Sequence, residues 1–108
     1  MNIELTNQID AIGISAESGD VILSVIDGAD WSGKHLLLLQ EKLNTYLRFV
    51  ESGEVYFSYP SALGKQIAIH VYWRIAPTSE AEQFLSRVTS IVGEAGLGFI
   101  HGPAGALN

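Results

Sequence analysis

The chain has 108 residues, 47% hydrophobic and 17% charged, with no cysteine and a net charge of −6. Such a composition describes one folded domain rather than a disordered tail. It excludes disulfide scaffolds, thiolate nucleophiles, cysteine zinc sites and iron–sulfur centres.

The charge is unevenly placed. Glu4, Asp10, Glu17, Asp20, Asp27 and Asp30 carry the first 30 residues, which hold no Lys or Arg, while the remaining acids and bases balance. A field of this sign repels nucleic acid and anionic membrane and attracts cationic partners. The opening MNIELTNQID has neither a basic start nor a long apolar run, and no run approaches a membrane span. A soluble cytoplasmic protein is therefore expected.

IDAIGISAESGDVILSVID reads as a β-hairpin. With Ser18-Gly19 as a two-residue loop, Glu17 stands opposite Asp20 and Asp10 opposite Asp27. One face then carries Ile12, Ile14, Ala16, Val21, Leu23 and Val25. The other is mixed, with Gly13, Ser15, Ile22, Ser24 and Ile26.

Ser32 is the expected N-cap of a helix from about Gly33 to Glu51, stopped by Gly53. Leu36, Leu39, Leu43, Tyr46, Leu47 and Val50 fall within an arc of roughly 100° and form its core stripe. The stretch HLLLLQ cannot place every leucine there. Leu38 and Phe49, with Lys42 and Thr45 between them, make a second apolar side. The connector EVYFSYPSALGK is rich in aromatics that need cover. Its Tyr59-Pro60 bond can take either isomer.

QIAIHVYWRI is the strongest strand, with Ile67, Ile69, Val71, Trp73 and Ile75 on one face and Ala68, His70, Tyr72 and Arg74 on the other. A second long helix follows, where Ser79 and Glu82 match a capping box and Ala81, Phe84, Leu85, Val88, Ile91 and Val92 repeat at helical spacing. Residues 97–108 read as a short edge strand and a loose tail. The order predicts an α+β two-layer sandwich over residues 1–108, with three or four mainly antiparallel strands and both helices on one face. A right-handed crossover makes the third strand parallel to the second, and the simplest order is 2-1-3 with the first strand central.

The residues offer little chemistry. Asp10 and Asp27 are a candidate carboxylate pair, but no third ligand stands at useful spacing. His35 reads as a surface or partly covered residue and His101 as solvent-exposed, and only His70 merits attention as a site residue. No nucleophile elbow appears, and the six bases are scattered, against nucleic-acid binding. No cofactor or metal is expected.

IDAIGI, GDVILSVIDGADW, HLLLLQEKLNTYLRFVESGEVY and the following YP and GK resemble a family of small uncharacterised bacterial proteins described as a domain of unknown function. The resemblance covers about residues 7–75 and implies one domain and a bacterial source. By type rather than motif, the chain is also similar to the immunity proteins of bacterial toxin systems.

The expected function is therefore a non-enzymatic protein-binding module, most concretely a cytoplasmic immunity protein that occludes a basic toxin domain. Glu17, Asp20, Asp27 and Asp30 would steer the partner. Leu38, Phe49, Tyr56, Tyr59, His70, Tyr72 and Arg74 would supply contact. The alternatives are a homodimeric or larger accessory protein, and a small-molecule sensor or enzyme on the sheet face.

Overall fold

A computed structural model describes residues 6, 8–27 and 30–104. It is a mixed α+β fold. In chain order its elements are β1 (Ala11–Ile14), β2 (Val21–Asp27), α1 (Gly33–Glu51), α2 (Glu54–Ser58), β3 (Ile67–Trp73), α3 (Ser79–Glu94) and β4 (Gly98–Pro103), with a 3-10 turn at Pro60–Ala62. The four strands lie in the order β1-β2-β3-β4.

That order corrects the expected one. β2, not β1, lies between β1 and β3, and the sheet is not mainly antiparallel. Only β1–β2 is antiparallel, while β2–β3 and β3–β4 are parallel. The physical reason lies in the strands themselves. β2 and β3 are seven residues long and alternate buried with half-buried positions. Both gain from a neighbour on each edge. β1 has four residues, two of them exposed, which suits an edge. At the opposite edge, β4 ends on Pro103, a residue that cannot donate to a further strand.

The hairpin register also differs. Ile14 pairs with Val21, and Ser15–Asp20 forms a longer loop in which Gly19 takes φ +78°. Gly19 N–H donates to Ser15 O at 2.9 Å and Ser15 N–H to Asp20 O at 2.8 Å. Relative to the expected pairing this is a slip of two residues. An even slip leaves every side chain on its own face. Val21, Leu23 and Val25 are therefore buried on one face despite the different partners, while Ile14 and Ala16 of the same set are exposed.

Ser32 caps α1 as expected, its side chain accepting from His35 N–H, and Gly53 (φ +84°) follows the helix end. The buried stripe is His35, Leu39, Lys42, Leu43 and Tyr46, turned from the expected arc. Leu36, Leu47 and Val50 flank it, half-buried. For α3 the cap is Thr78, which accepts from Ala81 N–H at 3.1 Å, and Ser79 is the first helical residue. No peptide bond among the described residues is cis, so Tyr59-Pro60 is trans.

The core is one cluster. It joins Val21, Leu23, Val25, Ile67, Ile69 and Val71 of the sheet with Leu39, Leu43 and Tyr46 of α1 and Phe84, Leu85 and Val92 of α3. Burying each such aliphatic side chain contributes about 1.5–3 kcal/mol. The opposite face of β2 and β3 is only half-covered.

Candidate interaction face

Two acid–base pairs lie inside the fold. Asp10 Oδ1 stands 2.7 Å from Lys42 Nζ, and Asp10 Oδ2 accepts from Ile26 N–H at 3.1 Å. Beside them the Tyr46 hydroxyl accepts from Asp10 N–H at 2.8 Å and donates to Ser24 O at 2.6 Å. Burial pushes the Tyr46 phenol well above its ordinary range. Asp10 thus ties α1 to β2 just where β1 begins.

Asp27 and His35 form the second pair, with Oδ2 and Nε2 2.6 Å apart. Trp31 meets the imidazole edge-on at 5.7 Å between ring centroids, and its indole N–H donates to Ile75 O at 2.6 Å. The two aspartates are not a facing carboxylate pair. Each has its own cationic or basic partner from α1, so the arrangement serves to fasten the helix to the sheet. His35 is buried rather than at the surface, and Lys42 lies on the core side of α1 rather than beside an exposed patch.

The expected contact residues divide sharply. Asp27, expected among the steering acids, is buried. Leu38 and Phe49 do not form a free apolar patch, because both pack half-buried against the core. Phe49 shares its surroundings with Ile9 and Thr45, and the Thr45 hydroxyl donates to Thr6 O at 2.6 Å. The chain entering β1 covers this side of the helix. Tyr59 also packs on the core. Tyr56 is at the surface, and the neighbouring Phe57 is 83% exposed, so the connector's aromatics are not all covered. Asp30 is exposed and accepts from Ser32 N–H at 3.2 Å. Arg74 lies past the end of β3, exposed, with its backbone N–H on Asp27 O. Glu4 and the tail 105–108 lie outside the described residues.

Glu17, Asp20, His70 and Tyr72 do come together. They line an open concavity of about 830 Å³ on the half-covered sheet face, with Gly13, Ile22, Ser24, Ala68, Gly98 and Ile100. The His70 and Tyr72 rings stack at 3.8 Å with 21° between planes. Partial burial, and then the like charge of His101, hold the His70 imidazole below its ordinary 6.5. His101 itself is exposed and accepts from the Trp73 indole N–H at 3.1 Å. Among the described residues no three His, Asp or Glu side chains gather as a metal site, and no helix is long and apolar enough to cross a membrane.

Sequence reasoning named the rings and the acids of this concavity and set Gly13, Ile22 and Ala68 on the mixed faces, but it did not place Gly98 beside them. Gly13 and Gly98 contribute by lacking side chains. The alternation of β3, continued laterally to a fourth strand, is the signal that finds Gly98.

A protein-family model described as a family of unknown function (DUF6572) matches residues 1–104. The chain belongs to this family. That membership agrees with the resemblance carried by the hairpin and the first long helix, and it brings no chemistry with it. No curated protein and no solved structure matches the chain.

Proposed function

We propose that this family member is a non-enzymatic protein-binding module that presents its uncovered sheet face to a partner. The observation that carries this reading is the open concavity with a stacked His70–Tyr72 pair, an Ile100 that is 52% exposed, and the two carboxylates of Glu17 and Asp20. Aromatic side chains of this kind are enriched at protein interfaces. In its most specific form the module is a cytoplasmic immunity protein that occludes a basic toxin domain. The uneven negative charge supports that form through faster encounter with a cationic partner.

This reading takes α1 and α3 to lie together on the other face, since their buried residues share one cluster with β2 and β3. The buried acid–base pairs are engaged with each other at the helix–sheet junction, which favours binding over catalysis as the role of this chain.

The test is capture from the native host with tagged full-length protein, at low and moderate salt, beside an Ala68→Glu variant that fills the concavity. A stoichiometric partner held by the parent protein and lost by the variant is expected. An equal yield from both proteins, or no partner at either salt, refutes the reading. The immunity form further requires that the purified partner lose its activity in a one-to-one mixture.

A further inference from the structure

The strand register sets the outer side chains in rows that run across the sheet. Gly13, Ile22, Ala68 and Gly98 form one row, and Ala11, Ser24, His70 and Ile100 form the next. Ile26, Tyr72 and Gly102 form a third. The first row is low. It has a glycine at each end and Ala68 inside, with Ile22 the one large side chain between them. A Cβ at Gly13 would meet nothing within 4 Å, and one at Gly98 would meet only Ala68, its Cβ at 3.2 Å.

This low row has a wall on either side. On one, over β3 and β4, His70 and Ile100 rise, reinforced by Tyr72 stacked behind His70, while the same row stays low at Ala11 and Ser24 over β1 and β2. On the other stands the hairpin loop with Glu17, Ser18 and Asp20. The result is a trough perpendicular to the strands. Four strands spaced ~4.8 Å apart give it a length of about 14 Å, which about four extended residues would span.

The chemistry of the trough is one-signed. Glu17 and Asp20 are its carboxylates, and no Lys or Arg lines it among the described residues. Neither carboxylate takes part in the ion pairs found among those residues. The floor between the walls is apolar, through Ile22 and Ala68.

We infer that this trough takes a cationic extended segment of a partner protein, laid across the strands. An Arg or Lys side chain rests its methylene stem on Ile22 and Ala68 and sets its charged head against Glu17 and Asp20. Long basic side chains pair an apolar stem with a polar tip in this manner, and charge-assisted contacts to carboxylates are the strong ones. A second copy of the chain fits less well. Packed face to face, it would bring the same two carboxylates against themselves. Phosphate-bearing ligands are repelled by the same charges.

The inference rests on the binding-module reading and refines it. It is tested by amide NMR of the labelled full chain, titrated with two five-residue probes, acetyl-Gly-Arg-Val-Arg-Gly-amide and its Glu-for-Arg counterpart. The cationic probe is expected to shift Gly13, Ile22, Ala68 and Gly98 saturably in the millimolar range. Binding should weaken about tenfold in the Glu17→Gln/Asp20→Asn double variant, whose urea unfolding should match the parent, as expected for lost charge-assisted contacts. Equal shifts with the acidic probe, shifts centred elsewhere, no shifts, or unchanged affinity in the double variant overturn it. Glu17→Gln alone, in an exposed loop position, gives a smaller loss in the same direction if the inference is right. Partner capture separates the two ideas. A partner lost with Ala68→Glu but retained by the double variant sinks the cationic segment and leaves the binding module standing.

Discussion

Lys42 Nζ lies 2.7 Å from Asp10 Oδ1, and their side chains are 0% and 3% exposed. A charge pair this deep has a large desolvation cost, which its mutual attraction and the added bond to Ile26 N–H offset. Removing one partner leaves the other charge stranded. Lys42→Met is therefore expected to lose about 3–5 kcal/mol of stability in urea unfolding. Adding Asp10→Asn should recover part of that loss, since an amide oxygen still accepts from Ile26 N–H. A double variant less stable than Lys42→Met would show that the pair is not the cause.

Tyr46 belongs to the same junction and gives an alkaline signature. Burial holds its phenol above the ordinary value of about 10 in the folded state. The folded protein thus keeps a proton that the unfolded chain gives up. Its contribution is complete below about pH 10 and declines as pH rises past that value. Tyr46→Phe should cost about 1–3 kcal/mol at neutral pH, from the lost bonds to Ser24 O and Asp10 N–H. Its stability should then fall less steeply than the parent's above pH 10, measured by urea unfolding across that range. Parallel curves would refute the assignment.

His70 is held below 6.5, first by burial and then by the like charge of His101. An NMR titration should place its midpoint under that of a free histidine, and His101→Ala should move it back upward. A lowered folded-state value means that the unfolded chain takes up the proton more readily. Stability from this group is accordingly full above about pH 6.5 and declines as pH falls through that value. An unmoved midpoint in His101→Ala would show that burial acts alone.

The leucines of α1 offer a contrast within one turn. Leu39 is fully buried, and Leu37 is 64% exposed. Leu39→Ala should cost about 2–5 kcal/mol, as core truncations do. Leu37→Ala should stay within about 0.5 kcal/mol, the usual range of surface changes. Comparable losses at the two positions in denaturant unfolding would mean that Leu37 is covered by something in solution.

Much of the local structure could be read from residues alone. Ser32 and Gly53 mark the ends of α1, and the alternation of Ile67, Ile69 and Val71 marks β3. The sheet order could not, because each strand's face pattern is satisfied by several neighbours. The hairpin slip was invisible for a related reason, since an even shift preserves faces. Lys42 and His35 were misplaced because a binary pattern sends charged and polar residues outward, and only the tertiary partners Asp10 and Asp27 reverse that. At the concavity, His70, Tyr72, Glu17 and Asp20 were legible as residue types. The place of Gly98 in its floor was not, since it depends on the pairing of β4 with β3.

Among the described residues the buried polar and charged ones are Asp27, His35 and Lys42, and the side chain of Asp10 joins them. All four precede β3. The buried residues from Ile67 onward, among those described, are apolar. The polypeptide is made N-terminus first, so Asp10, Asp27, His35 and Lys42 have all been synthesised before β3. What arrives afterwards adds only oil. A growing chain of this order has Lys42 available to Asp10, and His35 to Asp27, before β3 emerges.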